Sequence, residues 1–376
     1  MTSPEITAIT MPKWGLTMTE GKVVGWLKQQ GQSFAEGEDL LEIETTKITN
    51  VMEAPARGTL RRIAAPAGAT LPVGALLAVV APEEVADGEI DTFVAGFAVP
   101  EPSAEAAVDA EAVMPRELEA AGLRLRYLAL GDGDSVPVLL LHGFGADLNT
   151  WMFTQPALAD GRQVIALDLP GHGGSGKQLD RADAESLAAI VEHALNALGI
   201  ERLHLVGHSM GGGIAISFAV REPERVATLT LISSAALGPE INAAFIDGFV
   251  RAARRREAIE ALNLLVHDPA LVSRTMIEDV LRYKRLDGVP EALAAFAEEW
   301  FPGGRQRVVL GDAVAVLKLP VQIIWGREDR IIPVAHAEAL ASHVPVHILE
   351  QTGHLPHMEK AGEVNRLIKR LIENQA

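Results

Sequence analysis

Six glycines set the strongest limit on how this chain can begin to fold. They fall at 21, 31 and 37 and again at 58, 68 and 74, so one spacing returns 37 positions later. The residues between them agree. Val23-Val24 with Trp26-Leu27 answers to Leu60 with Ile63, and Asp39-Leu40-Leu41 answers to Ala75-Leu76-Leu77. Repetition at a fixed offset implies two similar supersecondary units sharing one core. Short alternating apolar runs broken by glycine turns predict β-sheets, packed as a small all-β sandwich or flattened barrel. Between the copies lies Glu44-Thr45-Thr46-Lys47-Ile48-Thr49. One half hands over to the other there, which predicts a hairpin turn with Lys47 facing solvent.

With 376 residues the chain is too long for one ordinary domain. Residues 83–117 mark the division, with ten acidic side chains against a single basic one, Arg116. One-sided charge with few aromatics predicts a flexible, solvated linker, with a short helix possible over Asp87 to Phe97. The expected domains are therefore 1–82, the acidic linker 83–117, and 118–376. A net charge of -17 argues against nucleic acid or an anionic membrane as a main partner. With no cysteine, any thiol chemistry must ride on a cofactor or substrate. No stretch reads as a signal peptide or is long enough to span a bilayer, so a cytoplasmic location is expected.

From Leu123 onward, strand patterns alternate with long helical ones, predicting a mainly parallel sheet covered on both faces. Strands are expected at Val138–Leu141, Gln163–Leu167, Leu203–Val206, Ala227–Ile232 and Val321–Trp325, with a helix over Asp183–Leu198. After Val206 comes Gly207-His208-Ser209-Met210-Gly211, followed by the small-residue start of a helix. Strand, G-x-S-x-G, helix is the nucleophile elbow, in which a strained turn lifts the serine hydroxyl above the sheet. A serine needs a base, and the base an orienting carboxylate. Downstream, Asp329 follows the strand ending at Trp325, and His354 follows the apolar run Val346–Leu349. Glu328 competes for the acid role and His357, more weakly, for that of base. The oxyanion hole needs backbone N–H donors, and Met210 and Phe144 are the candidates. His142, beside Phe144, reads as a structural hydrogen-bonding residue.

One stretch looks like a site in two ways and fails on detail in both. Gly171-His172-Gly173-Gly174-Ser175-Gly176 fits G-x-G-x-x-G, and with Lys177 it nearly spells a P-loop. Gln178 removes the hydroxyl that a P-loop uses for Mg²⁺, and the next helix starts only near Asp183. No metal-binding spacing appears among the histidines.

The segment Leu41 to Pro55, LEIETTKITNVMEAP, resembles the lipoyl-attachment region of 2-oxo acid dehydrogenase carrier domains. Gly31 and Gly58 stand 16 before and 11 after Lys47, as in that family. Biotin carriers have Met on both sides of the lysine, where this chain has Thr46 and Ile48, so lipoate on Lys47 is the implied cofactor. Thr46 departs from the aspartate most common there. Leu123 to Asn374 resembles the α/β-hydrolases, in which Ser209, Asp329 and His354 stand in the family order and Phe144 lies where the oxyanion loop is placed. A helical insertion over about 237–318 would then be a lid. Its Arg251, Arg254, Arg255 and Arg256 form either a solvated face or a landing site for phosphates of coenzyme A.

The whole arrangement is similar to the acetyltransferase (E2) component of bacterial acetoin dehydrogenase complexes. That resemblance implies acyl transfer from lipoyl to coenzyme A, with a thiamine-diphosphate E1 and a flavin E3 as partners. The H-x-x-x-D-G motif of ordinary 2-oxo acid E2 chains is absent, so their histidine mechanism does not carry over. The linker lacks the basic residues of a subunit-binding domain. Two other readings stay open: a serine hydrolase guided by a lipoyl domain, and a non-enzymatic carrier and scaffold.

Overall fold

The computed structural model describes residues 6–14, 18–45, 49–98 and 114–374. The chain divides into two compact units, one of the described residues up to 98 and the other of nearly all those from 114 onward. The first is all β. Its strands are β1 (Thr7–Thr10), β2 (Glu20–Trp26), β3 (Ser33–Phe34), β4 (Asp39–Glu44), β5 (Thr49–Glu53), β6 (Gly58–Ile63), β7 (Thr70–Pro72) and β8 (Leu76–Val80). They form two four-stranded sheets, ordered β1-β8-β6-β3 and β5-β4-β2-β7.

Moving 37 residues along the chain takes β2 to β6, β3 to β7 and β4 to β8, so each sheet repeats the other's layout. The glycine repeat has two physical causes. Gly31 and Gly68 have φ of 89° and 88°, a left-handed turn conformation that a side chain disfavours. Gly21 and Gly58 are sites of close approach: a Cβ on Gly21 would sit 2.7 Å from Met11 Sδ, and one on Gly58 would strike Val80 Cγ1. Val23, Leu40, Leu41, Ile43, Leu60 and Leu77, from both copies, are fully buried in one shared core.

Part of the acidic stretch belongs to this unit. Helix α1 (Asp87–Gly96) places Ile90 against Val79, Ala81 and Val85. Arg61 donates to the Pro82 and Val85 carbonyls and to Asp87, and Arg62 pairs with Asp91 at 2.5 Å. The excess of carboxylates thus partly answers two arginines of β6, which composition alone does not reveal. Residues 99–113 of the expected linker lie outside the described residues.

The second unit is built on an eight-stranded sheet. Its strands are β9 (Arg116–Ala120), β10 (Leu123–Leu130), β11 (Ser135–Leu141), β12 (Arg162–Leu167), β13 (Leu203–His208), β14 (Val226–Ile232), β15 (Val321–Gly326) and β16 (Val346–Leu349). The order is β16-β15-β14-β13-β11-β12-β10-β9. Only the β10–β12 and β9–β10 pairs are antiparallel. The strand β9 takes up Arg116 and Glu117, which the charge pattern had assigned to the linker. It is an edge strand, where charged side chains face water and discourage further pairing, so it reads as linker by composition.

Helix α2 (Ala184–Ala197) begins where Asp183 accepts the Ser186 N–H at 3.0 Å as N-cap. Helix α3 (Met210–Arg221) follows β13 directly. Between β14 and β15 come α4 (Ala243–Arg251), α5 (Arg255–Leu262), α6 (Arg274–Tyr283), α7 (Val289–Trp300) and α8 (Gly311–Val316), matching the expected helical insertion. The strands β13, β14 and β15 are buried along their whole length, so both faces of the central sheet are covered. Among the described residues, no helix is long and apolar enough to cross a membrane.

The close approach at Gly58 makes a prediction. Gly58→Ala should destabilise the first unit by about 1–3 kcal/mol through overpacking. Gly25→Ala, whose Cβ would meet only Glu42 Oε2 at 3.8 Å, should stay within about 0.5 kcal/mol of the parent. Hydrogen exchange of β6 and β8 amides in the full chain measures both, and equal protection in the two variants would contradict the packing argument.

Candidate active site

In a parallel sheet the carboxyl ends of the strands share one edge, and the loops beyond them face a common space. Four such loops matter here. His142-Gly143-Phe144 follows β11, Ser209 follows β13, Asp329 lies just past β15, and His354 just past β16.

Ser209 has φ 51° and ψ -121°, a conformation costing about 1–3 kcal/mol for a non-glycine residue. It is held from several directions. Its N–H donates to Ile232 O at 3.0 Å, and its carbonyl accepts from Gly212 N and Ala235 N, each at 2.9 Å. The glycines of the elbow are sterically required: a Cβ on Gly207 would lie 2.5 Å from Gly211 O, and one on Gly211 would strike the Leu141 carbonyl oxygen. Strand, turn and helix are thereby packed too tightly for a side chain at either 207 or 211.

His354 Nε2 lies 3.0 Å from Ser209 Oγ, and His354 Nδ1 lies 2.8 Å from Asp329 Oδ2. The other oxygen of that carboxylate accepts from the Ile331 and Ile332 amides at 2.8 and 3.0 Å, so the acid is oriented on both sides. Glu328 is directed elsewhere: its Oε2 accepts the Thr352 N–H at 2.9 Å. His357 is buried with Nε2 3.0 Å from Thr150 Oγ1, and burial pushes its pKa down to about 3. Ser209, Asp329 and His354 therefore come together, while Glu328 and His357 do not join them.

The loop after β11 lies against the serine, since a Cβ on Gly143 would be 3.0 Å from Ser209 Cβ. Met210 opens α3, so its N–H is one of the unpaired donors at the positive end of the helix dipole. His142 shapes the neighbouring loop. Its Nδ1 donates to Gly143 O at 2.8 Å and its Nε2 accepts the Leu169 N–H at 2.9 Å. Burial lowers its pKa to about 4, so it stays neutral and structural.

His208 was invisible as a contributor in the sequence, where it is merely the variable residue before the serine. Its Nε2 donates to the His354 carbonyl at 2.8 Å, and its ring lies 4.9 Å from that of His354. Burial holds its pKa well below that of a free histidine, so it acts as a neutral prop.

Phe144 makes edge contacts with Phe249 and Phe301 at 5.8 and 6.0 Å, and Ser209 is 6% exposed. Lys284 caps the end of α4 through the Phe249 and Val250 carbonyls. Three of the four insertion arginines meet carboxylates: Arg251 with Asp247, Arg255 with Glu278, and Arg256 with Glu260. The near P-loop is also resolved. Lys177 Nζ donates to the carbonyls of His172, Gly173 and Ser175, so it braces its own loop instead of reaching for a phosphate.

Lys47 lies outside the described residues. Its surroundings in the chain are defined, however. The strands β4 and β5 pair antiparallel up to Glu44 and Thr49, leaving residues 45–48 as their short connection.

The geometry predicts that Asp329→Asn will lower turnover by about 10⁴-fold by leaving the base in the wrong tautomer. Glu328→Gln should retain most activity. Labelling of Ser209 by a fluorophosphonate probe reads both, and equal losses would move the acid role away from Asp329 alone.

Comparisons with known proteins fit this two-part layout. Residues 136–361 match a family model described as the alpha/beta hydrolase fold, and residues 7–80 match one described as biotin-requiring enzymes. A "dihydrolipoyllysine-residue acetyltransferase component of acetoin cleaving system" from Cupriavidus necator is 45% identical, covering 98% of each chain. A protein of the same description from Pseudomonas putida is 46% identical, covering 96% of this chain and 97% of its own. A 2-hydroxymuconate semialdehyde hydrolase from Pseudomonas sp. is 36% identical over 67% of this chain and 92% of its own. Among solved structures, a meta-cleavage product hydrolase from Pseudomonas fluorescens IP01 aligns with a TM-score of 0.64 and 25% identity, covering 71% of this chain and 100% of its own. With a lipoyl-type sandwich, an α/β-hydrolase unit and full-length likeness to both acetyltransferases, the chain belongs to the family of dihydrolipoyllysine-residue acetyltransferase components of acetoin cleaving systems.

Proposed function

We propose that this chain moves an acetyl group from a lipoyl arm on Lys47 to the thiol of coenzyme A through an acyl-Ser209 intermediate. The observation that carries the reading is the Ser209–His354–Asp329 hydrogen-bond relay within a chain that also holds a lipoyl-type sandwich. The β4–β5 hairpin suits a lipoyl attachment, because paired strand ends at Glu44 and Thr49 bracket the short connection that contains Lys47. Held there by an amide bond, the lipoyl group supplies a dithiol that presents the acyl unit as a thioester.

The residues of the second unit account for the transfer. His354 Nε2 takes the Ser209 proton as Oγ adds to the thioester carbonyl carbon. The amides of Phe144 and Met210 hold the negative oxygen of the tetrahedral adduct, which the positive end of α3 also favours. Collapse breaks the carbon–sulfur bond, and the departing sulfur takes the proton from His354. In the second half the coenzyme A thiol gives its proton to His354 Nε2 and attacks the acyl carbon, and Ser209 leaves with the proton restored. Phe144, next to the Gly143 that lies against the serine, packs edge-on to Phe249 and Phe301, and apolar surface there would disfavour attack by water on the ester. Because donor arm and serine share one chain, delivery is intramolecular, with an effective concentration on the order of millimolar.

The relatives are named as components of an acetoin cleaving system, and for this chain we infer a thiamine-diphosphate E1 that loads the arm and a flavin E3 that reoxidises it. The carrier would meet both in the cytoplasm. The competing outcome is hydrolysis, as the names of the semialdehyde hydrolase relatives indicate for those proteins.

The test offers acetyl-dihydrolipoamide and coenzyme A to the parent chain and to Ser209→Ala, and measures acetyl-coenzyme A against free acetate. Acetyl-coenzyme A should dominate with the parent and fall by at least about 10³-fold with Ser209→Ala. Serine-dependent acetate with coenzyme A unused would make the chain a hydrolase. In the assembled system, Lys47→Arg should abolish acetoin-dependent acetyl-coenzyme A formation yet spare transfer from free acetyl-dihydrolipoamide.

A further inference from the structure

The helical insertion touches the base and acid loops through a strap, residues 263–267, that follows α5. The His354 N–H donates to Leu265 O at 2.7 Å. Arg330, next to Asp329, donates to the Asn263 and Val266 carbonyls. A Cβ on Gly353 would lie 2.7 Å from the Val266 carbonyl carbon and 2.8 Å from His267 N, so the strap backbone presses directly on the base loop.

Glu359, at the end of the turn Pro356–Glu359, closes this arrangement. Its Oε1 accepts the Gly353 N–H at 2.9 Å and the Leu355 N–H at 3.3 Å, the amides on either side of His354. Its Oε2 accepts the His267 N–H of the strap at 2.7 Å. An ionised carboxylate suits this place because it accepts at both oxygens and donates at neither. Burial raises its pKa, while the three amides oppose that rise.

We propose that Glu359 is a positioning residue for the base, binding both flanks of His354 and the insertion's strap into one unit that keeps Nε2 within reach of Ser209. The proposal rests on Ser209 and His354 being nucleophile and base. In this role the strap is part of the catalytic framework. A shift of about 1 Å in the base costs on the order of 10²-fold in rate. A carboxylate that merely stabilised the fold would change the amount of active protein and leave the rate per active site alone.

The experiment compares the full-length parent chain, Glu359→Ala and Glu359→Gln. It measures the rate of Ser209 labelling by a fluorophosphonate, and kcat and KM for acetyl transfer from acetyl-dihydrolipoamide, normalised to titrated sites. Glu359→Ala should lose about 100-fold in labelling rate and kcat, with both KM values within about twofold of the parent. Glu359→Gln keeps an acceptor for Gly353 and Leu355 and should recover at least about tenfold over Ala. Labelling by Glu359→Ala within about threefold of the parent would overturn the proposal, as would a loss confined to KM or the absence of rescue by Gln. If the Ala variant does not fold, Glu359→Asp, which draws the carboxylate back by one methylene, takes its place: a rate per site well below the parent supports positioning, and one equal to the parent refutes the idea. A folded parent chain that resists labelling would overturn the reading of Ser209 itself, a result distinct from a failure confined to Glu359.

Discussion

At Ser209 the backbone adopts a conformation that an L-residue does not choose freely, and the second unit is arranged so that it must. Hydrogen bonds from the elbow to Ile232, Gly212 and Ala235 tie the turn to β14, to α3 and to the start of the next connection. The glycines at 207 and 211 let α3 press against β13 and against the end of β11. Strain of about 1–3 kcal/mol is small beside the burial of the surrounding strands, so the fold can hold it indefinitely. The other site loops then need only reach a fixed point. The loop after β11 brings Gly143 against the serine, and those after β15 and β16 bring the acid and the base.

The first unit solves a different problem, that of holding one short hairpin connection on a rigid support. Its two sheets repeat a single layout, with the glycines of each copy doing the same job by the same means. The β4–β5 connection carrying Lys47 lies in sequence where the first copy passes to the second. Attaching such a presenter to a serine transferase in one chain removes the need for the acyl donor to find the enzyme by diffusion. The absence of cysteine from the sequence is consistent with this division, because the thiols of the reaction then belong to the carried group and to the acceptor.

Much of this was legible in the sequence because it rested on local rules. The glycine repeat marked turns, and the elbow stood between a buried strand and a small-residue helix start. Asp329 and His354 each followed an apolar run, which places them at the strand ends of one sheet edge. What escaped depends on side-chain contacts that neither composition nor motif spacing shows. The strand β9 looks like linker because an edge exposes its charges, and α1 looks solvated until Arg61 and Arg62 are seen to answer its carboxylates. His208 and Glu359 carry no signal of their own, since each acts on the backbone around His354, at separations of 146 residues in one case and as few as four in the other. The arginine cluster read as possible phosphate ligands because sequence hides the carboxylates that face three of its members.

The central claim is that the acyl group passes through Ser209. It is tested most directly by quenching the Lys47→Arg chain, which cannot carry the arm, shortly after mixing with acetyl-dihydrolipoamide in the absence of coenzyme A. Intact mass and peptide mapping then locate any acetyl group. The account predicts an acetyl ester on Ser209 that added coenzyme A discharges far faster than water does. Turnover with no acetyl on Ser209 at any quench time, or with coenzyme A attacking the donor directly in Ser209→Ala, would contradict it.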